Sequence, residues 1–411
     1  MKRVLFTVLY FCIAITISLA QPTETKSDTL RKDALNVYMD SPNDYIRREI
    51  PFINYVRDLK DADVYFISSY QRTGSGGIEY TYSLIGQNEF TGMRDTISYI
   101  TTPNETTEEI RQKQVNCLKM GLIRYIAKTP LSQYIRIGFS EPISETVTTD
   151  KWNNWVFRAR LNMYLNGQQT LKSKEYYGTF SADHITEKWK IELDANYSNE
   201  TTKFESLSYT DKSKSSSFNA RIVKSISDHW SYGGSVGISS SIYSNYKSLI
   251  SAMPGIEYDL FPYSESTRRQ LRILYQVGYN SVNYIDSTLY NKSREDLYLH
   301  SLMAAYQVIQ KWGDINISLR YRNYLHDWSL NNIYFSSDVS FRIAKGFRVN
   351  LYGYYAINHD QINIRKGSLS SEDILTRRKQ EKTSYNYYFM IGFSYTFGSI
   401  YNNVVNPRFG N

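Results

Sequence analysis

The sequence predicts an all-β membrane barrel of about twelve antiparallel strands, closed on itself and preceded by a small α/β domain. Three observations predict it. From about Asp150 onward apolar and polar residues alternate with a period of two, the signature of strands with one apolar and one wet face. Beyond the first twenty positions no segment approaches the twenty apolar residues of a spanning helix, yet a barrel of alternating strands also averages out as a polar chain. The mean hydropathy of -0.47 is of that kind. Finally, the 411 residues include 38 Tyr and 18 Phe but 9 Pro. Tyrosine, with an apolar ring and a polar tip, suits the two interfacial girdles of a barrel.

Residues 1–20 read as a secretory signal peptide. Met1-Lys2-Arg3 is basic, Val4 to Ile17 is apolar, and Ser18-Leu19-Ala20 offers a small-residue exit before Gln21. Cys12 follows Leu9-Tyr10-Phe11 rather than small residues, so it does not read as a lipidation site. Cleavage leaves one cysteine, Cys117, and no internal disulfide.

Residues 21–148 show mixed α and β patterns. Ile46, Ile50, Ile53 and Val56 recur at helical spacing, with a kink or late start at Pro51. Strands follow at Val64 to Ser69, Ile78 to Gly86 and Asp95 to Thr101. The first two are joined by Thr73-Gly74-Ser75-Gly76-Gly77, which reads as a hairpin turn because no Gly-Lys-Ser/Thr follows. Thr106 and Glu109 form a capping-box pattern for a helix to about Ala127, buried along Ile110, Cys117, Leu118, Gly121, Leu122 and Tyr125. A last strand is expected from Tyr134 to Phe139. This unit resembles the small periplasmic α/β domains of cell-envelope assembly proteins.

The barrel is expected over 149–398, with strands at roughly 151–166, 170–183, 186–199, 213–226, 229–245, 246–262, 269–285, 293–310, 313–326, 330–344, 346–362 and 384–398. Trp189, Ile191, Leu193, Ala195 and Tyr197 share one face; Lys190, Glu192, Asp194 and Asn196 share the other. Ile315, Ile317, Leu319 and Tyr321 repeat the pattern against Arg320 and Arg322. A soluble sandwich also alternates, but with shorter strands and more turn residues. The turns at 183–186, 227–229, 310–313 and 344–346 are tight, whereas 199–212 and 363–383 read as long charged loops, the latter mobile and open to protease. Tight turns belong in the periplasm, and an even strand count puts both barrel ends there, beside the preceding domain. The junction at Tyr243 to Tyr246 is too tight for an outer loop.

The final strand alternates Tyr385, Tyr387, Phe389, Ile391, Phe393, Tyr395 and Phe397 with Asn386, Tyr388, Met390, Gly392, Ser394 and Thr396. It resembles the aromatic-ended terminal strand that barrel-assembly machinery recognises, which implies Tyr395 and Phe397 as the assembly signal and that machinery as a partner. A tail follows at 399–411, and its Asn-Asn-Val-Val-Asn-Pro-Arg-Phe run is similar to endings of outer-membrane proteins of the Bacteroidota.

The chemistry weighed is sparse. His229-Trp230-Ser231 has the His-x-Ser spacing of outer-membrane phospholipases, but it lies just after a periplasmic turn on the lumen face and lacks their Asn-Gly context. His326-Asp327 and His359-Asp360 have the residue types of omptin-type proteases, but adjacent strand residues point to opposite faces. His184, His229, His300, His326 and His359 have no metal-ligand spacing, and most of them read as turn, loop or lumen residues. No catalytic residue, cofactor or metal is expected. The net charge of +8 is dispersed and carries no nucleic-acid motif. Candidate lumen-lining residues are Arg158, Arg160, Lys190, Arg221, Arg272, Arg320, Arg322, Arg342 and Arg348, with Glu192, Asp194, Glu257 and Asp338 as counter-charges. These imply either a salt-bridged, filled interior or a narrow, weakly anion-favouring channel. The expected function is a non-enzymatic outer-membrane barrel in contact with outer-membrane lipid. Its periplasmic domain engages an envelope partner or stabilises the barrel mouth; a diffusion channel and then a hydrolase are the alternatives.

Overall fold

The computed structural model describes residues 33–40, 43–74, 76–138, 150–205, 209–367, 380 and 382–399. The expected signal peptide, the domain junction near 148 and the tail beyond Ser399 lie outside the described residues. No helix of the described residues is long and apolar enough to cross a membrane. The fold is the predicted one, a twelve-stranded antiparallel barrel sheet preceded by a small α/β unit.

The α/β unit begins with β1 (Asn36–Tyr38), α1 (Asp44–Glu49) and β2 (Asn54–Tyr55). Next come β3 (Val64–Arg72), β4 (Ile78–Gly86), β5 (Arg94–Thr101) and α2 (Thr107–Ile126). Its sheet has the order β2-β1-β3-β4-β5, with β1 parallel to both neighbours and the rest antiparallel. The capping box is present: the Glu109 amide donates to Thr106 Oγ1 at 3.3 Å and the Thr106 amide to Glu109 Oε2 at 2.7 Å. α2 lays Val115, Leu118, Leu122 and Tyr125 against Val37, Phe66 and Leu84 of the sheet.

Two expectations here are corrected. The helical spacing of Ile46, Ile50, Ile53 and Val56 does mark buried residues, but the helix stops before Pro51, whose ring cannot continue it, and a strand follows. The strand expected from Tyr134 to Phe139 is instead a 3-10 turn at Pro130–Tyr134. It is started by Pro130 and capped by the Thr129 hydroxyl, and the backbone runs on without a ladder to Gly138; Phe139 lies outside the described residues.

The barrel sheet follows with β6 (Trp155–Gln168), β7 (Leu171–Ile185), β8 (Trp189–Phe204), β9 (Tyr209–Ser225), β10 (Trp230–Ser241) and β11 (Tyr246–Asp259). It continues with β12 (Arg269–Tyr284), β13 (Arg294–Gln310), β14 (Gly313–Tyr324), β15 (Asp327–Ala344), β16 (Phe347–Asn358) and β17 (Tyr385–Tyr395). Every strand pairs antiparallel with the next. β8 and β9 stay paired out to Phe204 and Tyr209, so the long loop expected at 199–212 shrinks to 205–208. The tight junction near Tyr243 is real, with Asn245 in the left-handed region at φ 61°.

The two faces separate as the period of two requires. Phe157, Leu161, Met163 and Leu165 of β6, Ile273, Tyr275 and Val277 of β12, Leu319 of β14, and Phe389, Ile391 and Phe393 of β17 are all exposed on the outer face. Leu161 keeps 79 % of its surface accessible and Leu319 47 %. A band of this kind is stable only against another apolar phase. His300 also lies on the outer side, among the rings of Tyr275, Tyr321 and Trp328, rather than in the lumen, loop or turn expected of most of the histidines.

Full closure is not observed. Among the described residues no ladder joins β6 to β17. The α/β unit instead reaches both edges of the sheet. Its Gly74–Gly77 hairpin tip packs on Arg158 of β6 and Ile185 of β7, and Arg57 donates to the Phe397 carbonyl at 3.4 Å just past β17. The unit thus touches both edge strands at one end of the sheet.

Candidate functional site: the two mouths of the lumen

At the end of the barrel that carries the turns at 186–188, 311–312 and 345–346, the α/β unit sits in the mouth. Val37 is fully buried in the unit's core, and this fixes where the chain leaves β1. Tyr38 and Asp40 are thereby presented to the barrel. The Arg342 guanidinium lies 4.6 Å from the centre of the Tyr38 ring and donates to its hydroxyl. Tyr38 donates to Asp40 Oδ1 at 3.3 Å, which also accepts from Arg348 at 2.9 Å. Burial, and then the Asp40 carboxylate, push the Tyr38 hydroxyl above its ordinary range, so it stays a neutral donor. On the outer side of this relay Lys345 Nζ meets Asp61 at 2.7 Å, and the Gly346 amide donates to Asp58 at 3.0 Å. The Asp61 hydrogen bond raises the Lys345 ammonium above its usual range.

The glycine-rich hairpin makes the third attachment. Gly76 has φ 75°, and a Cβ there would lie 1.3 Å from Arg158 Nη1; one at Gly74 would lie 2.8 Å from the Ile185 Cβ. Both glycines therefore serve close approach as well as the turn. Behind these contacts a cavity of about 380 Å³ lies between Phe66–Tyr70 of β3 and the lumen residues Gln307, Asn316, Asp338, Arg342 and Arg348.

Within the lumen the predicted residues are brought together in small ionic clusters. Glu192 takes Lys190 at 3.2 Å and Arg221 at 3.0 Å. Arg272 lies 3.9 Å from Glu257, which also accepts from the Tyr263 hydroxyl at 3.1 Å. Arg158 pairs with Asp183, Arg322 with Asp360, and Arg348 with Asp40. Those three carboxylates escape a sequence reading, because they belong to a strand end, a loop and the other unit. Arg320 lies over the Tyr334 ring at 5.5 Å, and Arg160, Asp194 and Asp338 form no ion pair among the described residues.

The opposite mouth is crossed by a strap of 359–366, running from the end of β16 to the turn before β11. Asn245 is its anchor: its Nδ2 donates to the Asn363 carbonyl at 3.0 Å, and its Oδ1 accepts from Arg365 Nε at 3.2 Å. The Leu289 amide donates to the Ile364 carbonyl at 2.8 Å. Ile362 packs on Val282, Tyr284, Leu297, Leu299 and Tyr324, which point inward as an apolar plug. The start of the loop expected to be mobile, 363–366, is thus tied down by buried Ile362 and Ile364; residues 368–379 lie outside the described residues.

The enzyme-like motifs are engaged elsewhere. His229 Nδ1 lies 2.7 Å from the Asp259 carbonyl and Ser231 Oγ lies 2.9 Å from the Tyr263 hydroxyl. Asp327 accepts from Ser329 and Asp360 from Arg322. Tyr395 and Phe397 stack at 5.5 Å on the outer face at the end of β17.

No family model matches the chain, and no curated protein does. Among solved structures it is similar to the translocator domain of autotransporter NalP from Neisseria meningitidis at 11 % identity and a TM-score of 0.25, over 59 % of this chain and 88 % of that one. The strand order described above is drawn from the chain's own ladders.

Proposed function

We propose that the chain is a non-enzymatic outer-membrane barrel whose N-terminal unit lies in the periplasm and stabilises the barrel mouth. The observation that carries this reading is the relay from Arg342 through Tyr38 and Asp40 to Arg348, which joins the unit to the wall of the lumen. The apolar outer faces of β6–β17 support insertion in lipid. The aromatic end at Tyr395 and Phe397 supports delivery by barrel-assembly machinery, and the similarity of the tail to Bacteroidota proteins favours that source. The unit's face turned away from the barrel is the surface on which an envelope partner would be engaged.

A narrow anion-favouring channel is the second reading. It is weakened by the five carboxylates that pair with six of the nine lumen cations, Arg158, Lys190, Arg221, Arg272, Arg322 and Arg348, Glu192 being shared by Lys190 and Arg221, and by the strap across the far mouth. Recording in planar bilayers tests the choice: the full-length chain is expected to give no stable conductance steps. Reproducible steps from the unaltered protein would overturn the reading in favour of the channel.

A further inference from the structure

We infer that the outer face of β7–β9, at the strap end of the barrel, is a docking surface for a phosphate-bearing lipid headgroup. The inference rests on the membrane reading above and adds a partner to it. The cross-strand registers Lys172↔Lys203 and Lys174↔Thr201, with Thr201↔Lys212 and Asn199↔Lys214, place five lysines in three adjacent rows of one face. Phe180, Tyr197 and Phe218 of the apolar band share that face. With about 3.4 Å of rise per residue, Lys174 stands roughly 7 Å along the strand beyond Tyr176, on the side away from Phe180 and the apolar band. All five lysines are exposed.

Their electrostatics are unbalanced. Lys172 and Lys203 stand directly opposite one another, an arrangement that repels unless an anion lies between. One does: Glu205 Oε1 is 3.1 Å from Lys172 and 3.2 Å from Lys203. Lys214 rests on the Tyr197 ring at 5.6 Å. Lys174 and Lys212 have no carboxylate partner among the described residues, and they lie in one row, two strands or about 10 Å apart. The other acids of these strand ends, Glu175, Glu200 and Asp211, point inward, where Glu175 meets Ser198 and Glu200 meets Ser173 and Thr202. Farther round the rim the outer positions include Tyr298, Tyr355 and Tyr385, and the cation there, Arg294, has a carboxylate beside it, Asp296 at 3.9 Å. The five lysines thus share one arc of the girdle, next to the apolar band, where an anion held by acyl chains would arrive.

The test is native mass spectrometry of the full-length chain in detergent, titrated with dioleoyl phosphatidic acid or with dioleoylglycerol, which has the same tails and no phosphate. Phosphatidic acid is expected to be retained and the diacylglycerol not. K174Q/K212Q is expected to lower phosphatidic acid affinity by roughly thirtyfold. K224Q, at the other end of β9, should leave affinity unchanged; heat-modifiable gel migration checks that each variant is folded. Equal retention of both lipids, or an unchanged K174Q/K212Q, overturns the docking surface alone. Retention of neither, with a chain that stays soluble when detergent is removed, overturns the membrane reading as well.

Discussion

Leu319 and Ser318 are adjacent, and they offer a test of which face of the sheet meets lipid. Leu319 is near the middle of β14, between Ala304 of β13 and Phe335 of β15, on the outer face. An arginine at a lipid-facing midplane position costs about 2–4 kcal/mol. At 1.4 kcal/mol per decade, L319R is expected to lower the equilibrium for insertion roughly 30- to 700-fold. Ser318 points the other way, with its Oγ 2.8 Å from that of Ser336. S318R forfeits that hydrogen bond, about 1 kcal/mol, while its charge remains among lumen polar groups. The two neighbours should therefore differ by about 1–3 kcal/mol, the outer one being the worse. Urea-dependent folding into vesicles, followed by heat-modifiable gel migration, measures both midpoints. Equal losses, or a greater loss for S318R, would refute the assignment of faces.

Four further outcomes follow from the same geometry. G76V should loosen the N-terminal unit from the barrel, since its Cβ must enter the space of Arg158 at a positive φ; proteolysis at the β3–β4 turn in detergent should accelerate severalfold, while the barrel still resists heat. A tag inserted after Gly367 is expected to be labelled on intact cells, and one beside Gly74 after the outer membrane is opened; the reverse pattern would invert the topology. Burial pushes the Cys117 thiol up to about 11, so a maleimide at pH 7 should react slowly until the unit unfolds; rapid labelling of the folded chain would contradict the burial described. The Thr106 amide and hydroxyl hold the Glu109 carboxyl below its ordinary value of 4.5, so its contribution is present above that pH and lost as pH falls through the lowered value. Hydrogen exchange at the start of α2 should speed up on acidification in the wild type, and much less in E109Q.

All twelve barrel strands were legible because alternation is a nearest-neighbour property. Whether Leu193 or Asp194 faces lipid depends on parity along one strand, and the strand itself supplies it. The inward parity of the lumen cations was legible for the same reason, and so was that of Glu192 as a counter-charge, though not which cations it meets, Lys190 and Arg221. Asp183, Asp360 and Asp40 were not: Asp183 keeps the inward parity but reads as the start of a turn, Asp360 lies in a loop, and Asp40 belongs to the other unit. The strap is the clearest case of hidden structure. Its hydrophilic run suggested mobility, and two isoleucines with one asparagine outweigh that composition, because Asn245 satisfies backbone groups no periodicity connects to it. In the N-terminal unit Pro51 decided the end of α1 against the helical spacing of Ile53 and Val56, which bury themselves from extended backbone instead.

The contacts that close the two mouths also bear on the order in which the chain acquires its structure. Each ladder of the barrel joins strands that follow one another, so the wall can grow by successive hairpins, with a long connection only between β16 and β17. The closures are of another kind: Asn245 to Asn363 spans 118 residues, Asp61 to Lys345 spans 284 and Tyr38 to Arg342 spans 304. None can form until the intervening strands have curled the sheet far enough to bring its ends to one rim. We expect them to be late contacts, formed after the rate-limiting step of assembly. Weakening them should leave the folding rate nearly unchanged and speed unfolding, so both mouths act as latches on the lifetime of the native state. The side chains that set how long the barrel survives are then not those that decide how fast it is built.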